Sequence, residues 1–253
     1  SIAGSPLDEG VDLIPRAYGL PKNLPGEEKK AAGKEAQNYD NRISGVSIHY
    51  KDAIELVTKG ASQACLVVEQ ETVTRTSRNV VAQIEGTDKA EEILTLTAHY
   101  DSVPEGPGAY DNMSGGAIIM ELCRYFQAHR PRRTMEFIWF GAEEKGLLGS
   151  QSYIKVHESE LSAHRFNMNV DLAGQLVGGT VVGVTGDASI CNMITYMAHE
   201  IGIGMSTKNQ IWGSDSNTFA WKGIPAMTLN RDGFGMHTRH DTIALLSDWS
   251  LER

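Results

Sequence analysis

At 253 residues, with 41% hydrophobic and 22% charged side chains, the chain is long enough to bury a sizeable core and to form one main domain. A formal net charge of −9 argues against a nucleic acid partner, and no apolar run approaches the roughly 20 residues that a membrane-spanning helix needs. The three cysteines, Cys65, Cys123 and Cys191, lie far apart without C-x-x-C spacing, so we expect small core side chains rather than a thiolate metal site, and a reducing, cytoplasmic setting rather than a disulfide framework.

Residues 1 to about 45 are rich in Pro, Gly, Lys, Glu and Asn, with turn signals such as Leu24-Pro25-Gly26, and read as loop. A short strand over Gly45 to Ile48 and a helix over Tyr50 to Val57 follow, giving a loop-rich amino-terminal segment, 1–75, ahead of a main domain, 76–253. The β-prone run Ile93–Ala98 then delivers His99-Tyr100-Asp101. A loop over Ala109–Gly116 carries Asp111 and opens into the helical pattern Ile118, Ile119, Leu122, Tyr125, Phe126. Met135–Phe140 reads as a strand that ends at Gly141-Ala142-Glu143-Glu144, Asn167–Val170 as one that ends at Asp171, and Ile224–Leu229 as one that leads into a loop containing His237. Leu246–Leu251 reads as a helix that stops as it starts. No internal repeat or low-complexity tract is present.

Four apolar runs thus end in polar residues. In an open α/β sheet, sites gather in the crevice beyond the carboxyl ends of the strands, so these scattered groups can converge. The collected set is two histidines, His99 and His237, and five carboxylates, Asp101, Asp111, Glu143, Glu144 and Asp171. Imidazole and carboxylate suit zinc or another borderline divalent ion, and a set this large fits two ions better than one. Consecutive side chains leave an extended chain in opposite directions, so of Glu143 and Glu144 one can hold metal while the other handles a water's proton.

The ordered segments T-A-H-Y-D-S, A-Y-D-N-M-S-G-G, G-A-E-E-K-G-L-L-G-S, N-V-D and M-H-T-R-H-D-T resemble the co-catalytic two-zinc aminopeptidases of metallopeptidase family 28, over roughly Ser77 to Asp248. The resemblance implies a three-layer α/β/α sandwich with a mixed, mainly parallel central sheet. It also implies that Asp111 bridges two zinc ions, that His99 and Asp171 complete one site, and that Glu144 and His237 complete the other. Glu143 is then the general base that takes a proton from the attacking water and passes it to the leaving amine. Asp101 would accept the other ring N–H of His99 and orient it. Asp241 is a further supporting candidate, with a turn or helix cap as its equal rival. Peptides are the implied substrates, and aminopeptidase action the implied reaction. Carboxypeptidase or dipeptidase action on the same site and a catalytically impaired binding scaffold are the alternatives. Cyclisation of amino-terminal glutamine on a one-zinc version of the fold is a further rival, against which the full ligand set argues.

Two departures stand out. Relatives often carry Tyr before the last histidine ligand, where its hydroxyl can stabilise an oxyanion, but here Met236 cannot donate a hydrogen bond. Tyr110 and His240 are the substitutes the sequence offers for that role. Ser216 stands where relatives often have the histidine of S-D-H. Arg231, on the loop before His237, could line the cleft and receive a carboxylate, or pair with Asp232. Its glycine-rich loop suggests a mobile wall. Trp212, Phe219, Trp221 and Phe234 could line an apolar pocket or belong to the core. No G-x-S-x-G elbow and no cysteine-protease signature is present. Relatives begin with helices and a larger insert not found here, so we expect a chain trimmed relative to its full gene product.

Overall fold

A computed structural model describes residues 48–63, 65, 67, 73–210 and 213–252. The chain divides into two compact units after Val73. In the described part of the first unit, helix α1 (Tyr50–Thr58) starts where the His49 ring accepts the Lys51 N–H. Leu24-Pro25-Gly26 and the expected strand residues Gly45, Val46 and Ser47 lie outside the described residues.

Among the described residues the second unit holds seven strands: β1 (Val80–Ile84), β2 (Lys89–His99), β3 (Arg133–Phe140), β4 (His164–Val170), β5 (Thr180–Val184), β6 (Met205–Lys208) and β7 (Ala226–Arg231). They form one sheet in the order β1-β3-β2-β4-β7-β5-β6. Only β1 against β3 and β5 against β7 pair antiparallel; the other neighbours run parallel. The sheet is therefore mixed and mainly parallel, as expected.

Helices cover both faces. On one side α2 (Ser114–Ala128) buries Ile119 against Leu96, Ala98, Met135 and Phe137. On the other, α3 (Leu148–Val156) and α5 (Ser216–Ala220) pack Tyr153, Ile154 and Phe219 against Ile138, Phe140 and Ala226. Strand β3 shows why: Met135 and Phe137 point to one layer and Ile138 and Phe140 to the other, the period of two that a sheet buried on both faces requires. Beneath α3 and α5 the sheet face also carries a polar seam. Thr97 donates to Asn169 at 2.8 Å, and Asn167 donates to Thr95 and Thr97 at 3.0 and 3.1 Å.

The chain passes from β2 through α2 to β3, which pairs on one side of β2, and then through α3 to β4, which pairs on the other. This reversal opens a crevice at the carboxyl end of β2, where His99 sits. At the same point α2 meets the end of β4 so closely that a Cβ on Gly115 would lie 2.5 Å from the Val170 carbonyl oxygen, which only glycine allows. The remaining helices are α4 (Ala188–Glu200) and α6 (Asp248–Leu251). The latter is a single turn after a 3₁₀ turn at Ile243–Leu245, shorter than the sequence suggests. Among the described residues no helix is long and apolar enough to cross a membrane. The cysteines meet the expectation of core side chains only in part: Cys123 is half-buried against the core, Cys191 is half-buried, and Cys65 is exposed.

Candidate active site

The structure brings the chemistry-bearing residues into one cleft of about 420 Å³, lined by His99, Asp111, Glu143, Glu144, Asp171 and His237 among others. Asp111 lies at the centre, presenting one carboxylate oxygen to each histidine. Its Oδ1 is 3.1 Å from His99 Nε2, and its Oδ2 is 3.0 Å from His237 Nε2. Asp171 Oδ1 stands 3.4 Å from His99 Nε2, and Glu144 Oε1 3.2 Å from His237 Nε2. Two triplets of ligand atoms result, His99–Asp111–Asp171 and Asp111–Glu144–His237, each gathered within 4.8 Å.

These triplets fit zinc. Tetrahedral ligands at about 2.0–2.1 Å from an ion stand roughly 3.3 Å from one another, the range of the separations just given. Glu144 Oε1 is buried and makes no well-aligned hydrogen bond, the condition of an oxygen waiting for a cation. His99 Nδ1 donates to the backbone carbonyl of Asp101 at 3.1 Å, which leaves Nε2 as the ligand atom.

Each ligand is held from behind. The Asp101 carboxylate, expected to orient His99, stands 3.6 Å from His99 Nδ1, whereas it accepts the backbone N–H groups of Glu143 at 3.0 Å and Glu144 at 3.3 Å. It therefore serves the pair of glutamates more directly than the histidine. Those glutamates do not continue an extended strand: Ala142 has φ 60°, and the Glu143 carbonyl accepts the N–H groups of Gly146 and Leu147, so a turn aims the two side chains. Asn112 fastens the Asp111 loop to the end of β4, donating to Val170 and accepting from Gly115 and Leu172. Ser214 donates to Asp171 Oδ2 and in turn accepts from Asn169. Among the described residues, four other than glycine adopt left-handed backbone, Ala142, Leu147, Leu172 and His237, and all line or flank this cleft. Such a conformation costs roughly 1–2 kcal/mol per residue, and strain of this kind collects at functional sites.

Charge is equally concentrated. Burial pushes the Glu143 carboxyl up to about 8, with Asp171, Asp215 and Glu144 adding to the effect and His99 opposing it. Burial would also raise Asp111, but His237 and His99 outweigh it and hold this carboxyl at about 2. Asp111 and Glu144 lift His237 to about 10. Burial lowers His99, yet its acidic neighbours overcome that and hold it well above its usual value. Asp215, completely buried, is raised to about 7 by burial, and its oxygens form no well-aligned hydrogen bond although the Ser150 hydroxyl lies near.

Other residues singled out from the sequence lie elsewhere or are already engaged. The Tyr110 hydroxyl donates to the Arg231 carbonyl, so it is not free to meet an oxyanion, and His240 is exposed beside Arg239. Arg231 spends its guanidinium on the carbonyls of Gln175 and Leu176 and on the Thr180 hydroxyl, neither lining the cleft nor pairing with Asp232. Its loop is pinned, since the buried Gln175 amide bonds both the N–H and the carbonyl of Phe234. Ser216 is buried and shares a hydrogen bond with Thr228. Phe219 belongs to the core, Trp221 and Phe234 are mostly exposed, and Trp212 lies outside the described residues. The supporting roles of Asn112 and Ser214 were missed from the sequence. Only the place of Ser214 as the first residue of the S-D-H motif hinted at one of them.

A family model described as Peptidase family M28 matches residues 79–253. Aminopeptidase YwaD of Bacillus subtilis is 41% identical over 102 residues, which cover 40% of this chain and 22% of that protein. The crystal structure of BSAP, a zinc aminopeptidase from Bacillus subtilis, superposes with a TM-score of 0.62 at 30% identity, covering 69% of this chain and 46% of the other. An aminopeptidase from Aneurinibacillus sp. strain AM-1 gives a TM-score of 0.65 at 25% identity, covering 84% and 55%. In each case the match takes in less than two thirds of the relative's own length.

Proposed function

The chain belongs to peptidase family M28, and from that premise we propose that it is a zinc-dependent exopeptidase that hydrolyses the first peptide bond of substrates with a free amino terminus. One observation carries the choice of terminus: the cleft is walled by carboxylates, and no Lys or Arg is among the described residues lining it. A carboxypeptidase needs a cation to receive the substrate's carboxylate. Arg231, the candidate for that task, does not line the cleft, and each of its guanidinium nitrogens bonds a backbone carbonyl or Thr180.

In this reading His99, Asp111 and Asp171 would hold one zinc ion, and Asp111, Glu144 and His237 a second. When bound, the ions supply Lewis-acid polarisation of the scissile carbonyl and acidify a water. Glu143, which lines the cleft beside Glu144, would take a proton from the attacking water and deliver it to the departing amine. Asp101 holds the backbone of Glu143 and Glu144 and keeps base and ligand in register. Ser214 and Asn169 orient Asp171.

The test combines elemental analysis of chelator-free protein with hydrolysis of leucyl amide and its N-acetyl form. Two zinc ions per chain and cleavage of the unblocked compound alone are expected. Equal cleavage of the acetylated form would defeat the amino-terminal reading. Zinc uptake without cleavage of either compound would defeat the assignment of this activity.

A further inference from the structure

We infer that Asp241 is the positioning residue for the shared carboxylate, fastening the backbone of Asp111 to the loop that carries His237 and so fixing the spacing between the two ligand triplets. The inference rests on the metal reading above. Asp241 is 1% exposed, and each of its oxygens is used. Oδ1 accepts the Tyr110 N–H at 2.6 Å and Oδ2 the Asp111 N–H at 3.0 Å, and its own backbone carbonyl accepts the Ala109 N–H at 3.4 Å. A carboxylate so buried is stable only when bonded in this way, and a charged acceptor makes such bonds stronger than neutral ones.

The side-chain partners lie 131 and 130 positions away and are N–H groups that open the helical turn Ala109–Met113, so Asp241 caps a distant turn rather than one in its own segment. The same device recurs across the cleft, where Asp101 accepts the two successive N–H groups of Glu143 and Glu144. Each of these acids follows a histidine of the site closely, Asp101 after His99 and Asp241 after His237. Each histidine segment thus grips the backbone of an acid segment, and four of the five segments that bear ligands or base become two fastened pairs, the Asp171 segment standing apart.

The experiment is the zinc affinity of folded Asp241→Asn beside the unaltered chain, read by competition with a chromophoric chelator. Asparagine keeps the shape and one acceptor but turns an NH₂ toward a backbone N–H. Affinity about 10–100-fold weaker is expected, as for other supporting partners of metal ligands, with an unchanged far-ultraviolet spectrum. Equal affinity in the two proteins overturns the inference. Failure of the unaltered chain to take up zinc overturns the metal reading itself. A second measurement needs no variant: in the metal-free chain the amides of Tyr110 and Asp111 should exchange with deuterium as slowly as those of β2. Rapid exchange there overturns the inference whatever the variant does.

Discussion

Glu143→Gln is expected to keep its zinc and lose about 10²- to 10⁴-fold in kcat, the share that a positioned general base contributes. The substitution keeps size and shape while removing the ability to take a proton. Its effect on structure should be small, because the Asp101 carboxylate holds residues 143 and 144 by their backbone N–H groups rather than by their side chains. The check is kcat on leucyl amide beside zinc content by elemental analysis. Turnover near that of the unaltered enzyme, at full zinc loading, would remove Glu143 from the role of base.

Asp111→Asn should be more damaging and in a different way. Asp111 is the one residue common to both ligand triplets, with an oxygen facing each histidine, so its loss weakens both sites at once. Losing the several kcal/mol that bound ions contribute to the transition state corresponds to at least about 10³-fold in kcat/KM, at tenfold per 1.36 kcal/mol. Zinc content should fall well below two per chain, whereas Glu143→Gln leaves it intact. The loop itself should survive, since Asn112 bonds and the Asp241 clamp hold it without help from the Asp111 side chain. Two tightly bound zinc ions in Asp111→Asn would show that this carboxylate is not shared.

The sequence announced the central strands and the residues at their ends for a simple reason. Strand β3 alternates apolar side chains toward two helical layers, and its abrupt stop at two adjacent acids has no packing explanation. Strands β1, β5 and β6 went unnamed because they are short and lie toward the sheet margins, where one face carries little apolar demand; Val80 and Val81 are half exposed. The supporting network was hidden for another reason. Asn112 and Ser214 act on partners 58 and 43 positions distant, and Asp241, named as a supporting candidate, has its partner 131 positions away; periodicity along a chain says nothing of which polar groups will meet across it. Arg231 shows how local sequence misleads: Asp232 beside it suggested an ion pair, yet its partners are Gln175, Leu176 and Thr180, more than fifty positions upstream. The glycine-rich loop suggested motion, but Gln175 pins it at Phe234.

The left-handed residues around the cleft bear on what breeding for robustness would do to this enzyme. At Ala142 and Leu172, glycine would adopt the same backbone without the steric penalty of roughly 1–2 kcal/mol, against about 0.4–1 kcal/mol lost through a freer unfolded chain. Selection for heat resistance alone should therefore admit glycine at these two positions, while loosening the turn that aims Glu143 and the backbone beside Asp171. The lineage would gain endurance and dull its own blade, and only a screen that scores turnover with every round would keep the side chains that hold the edge.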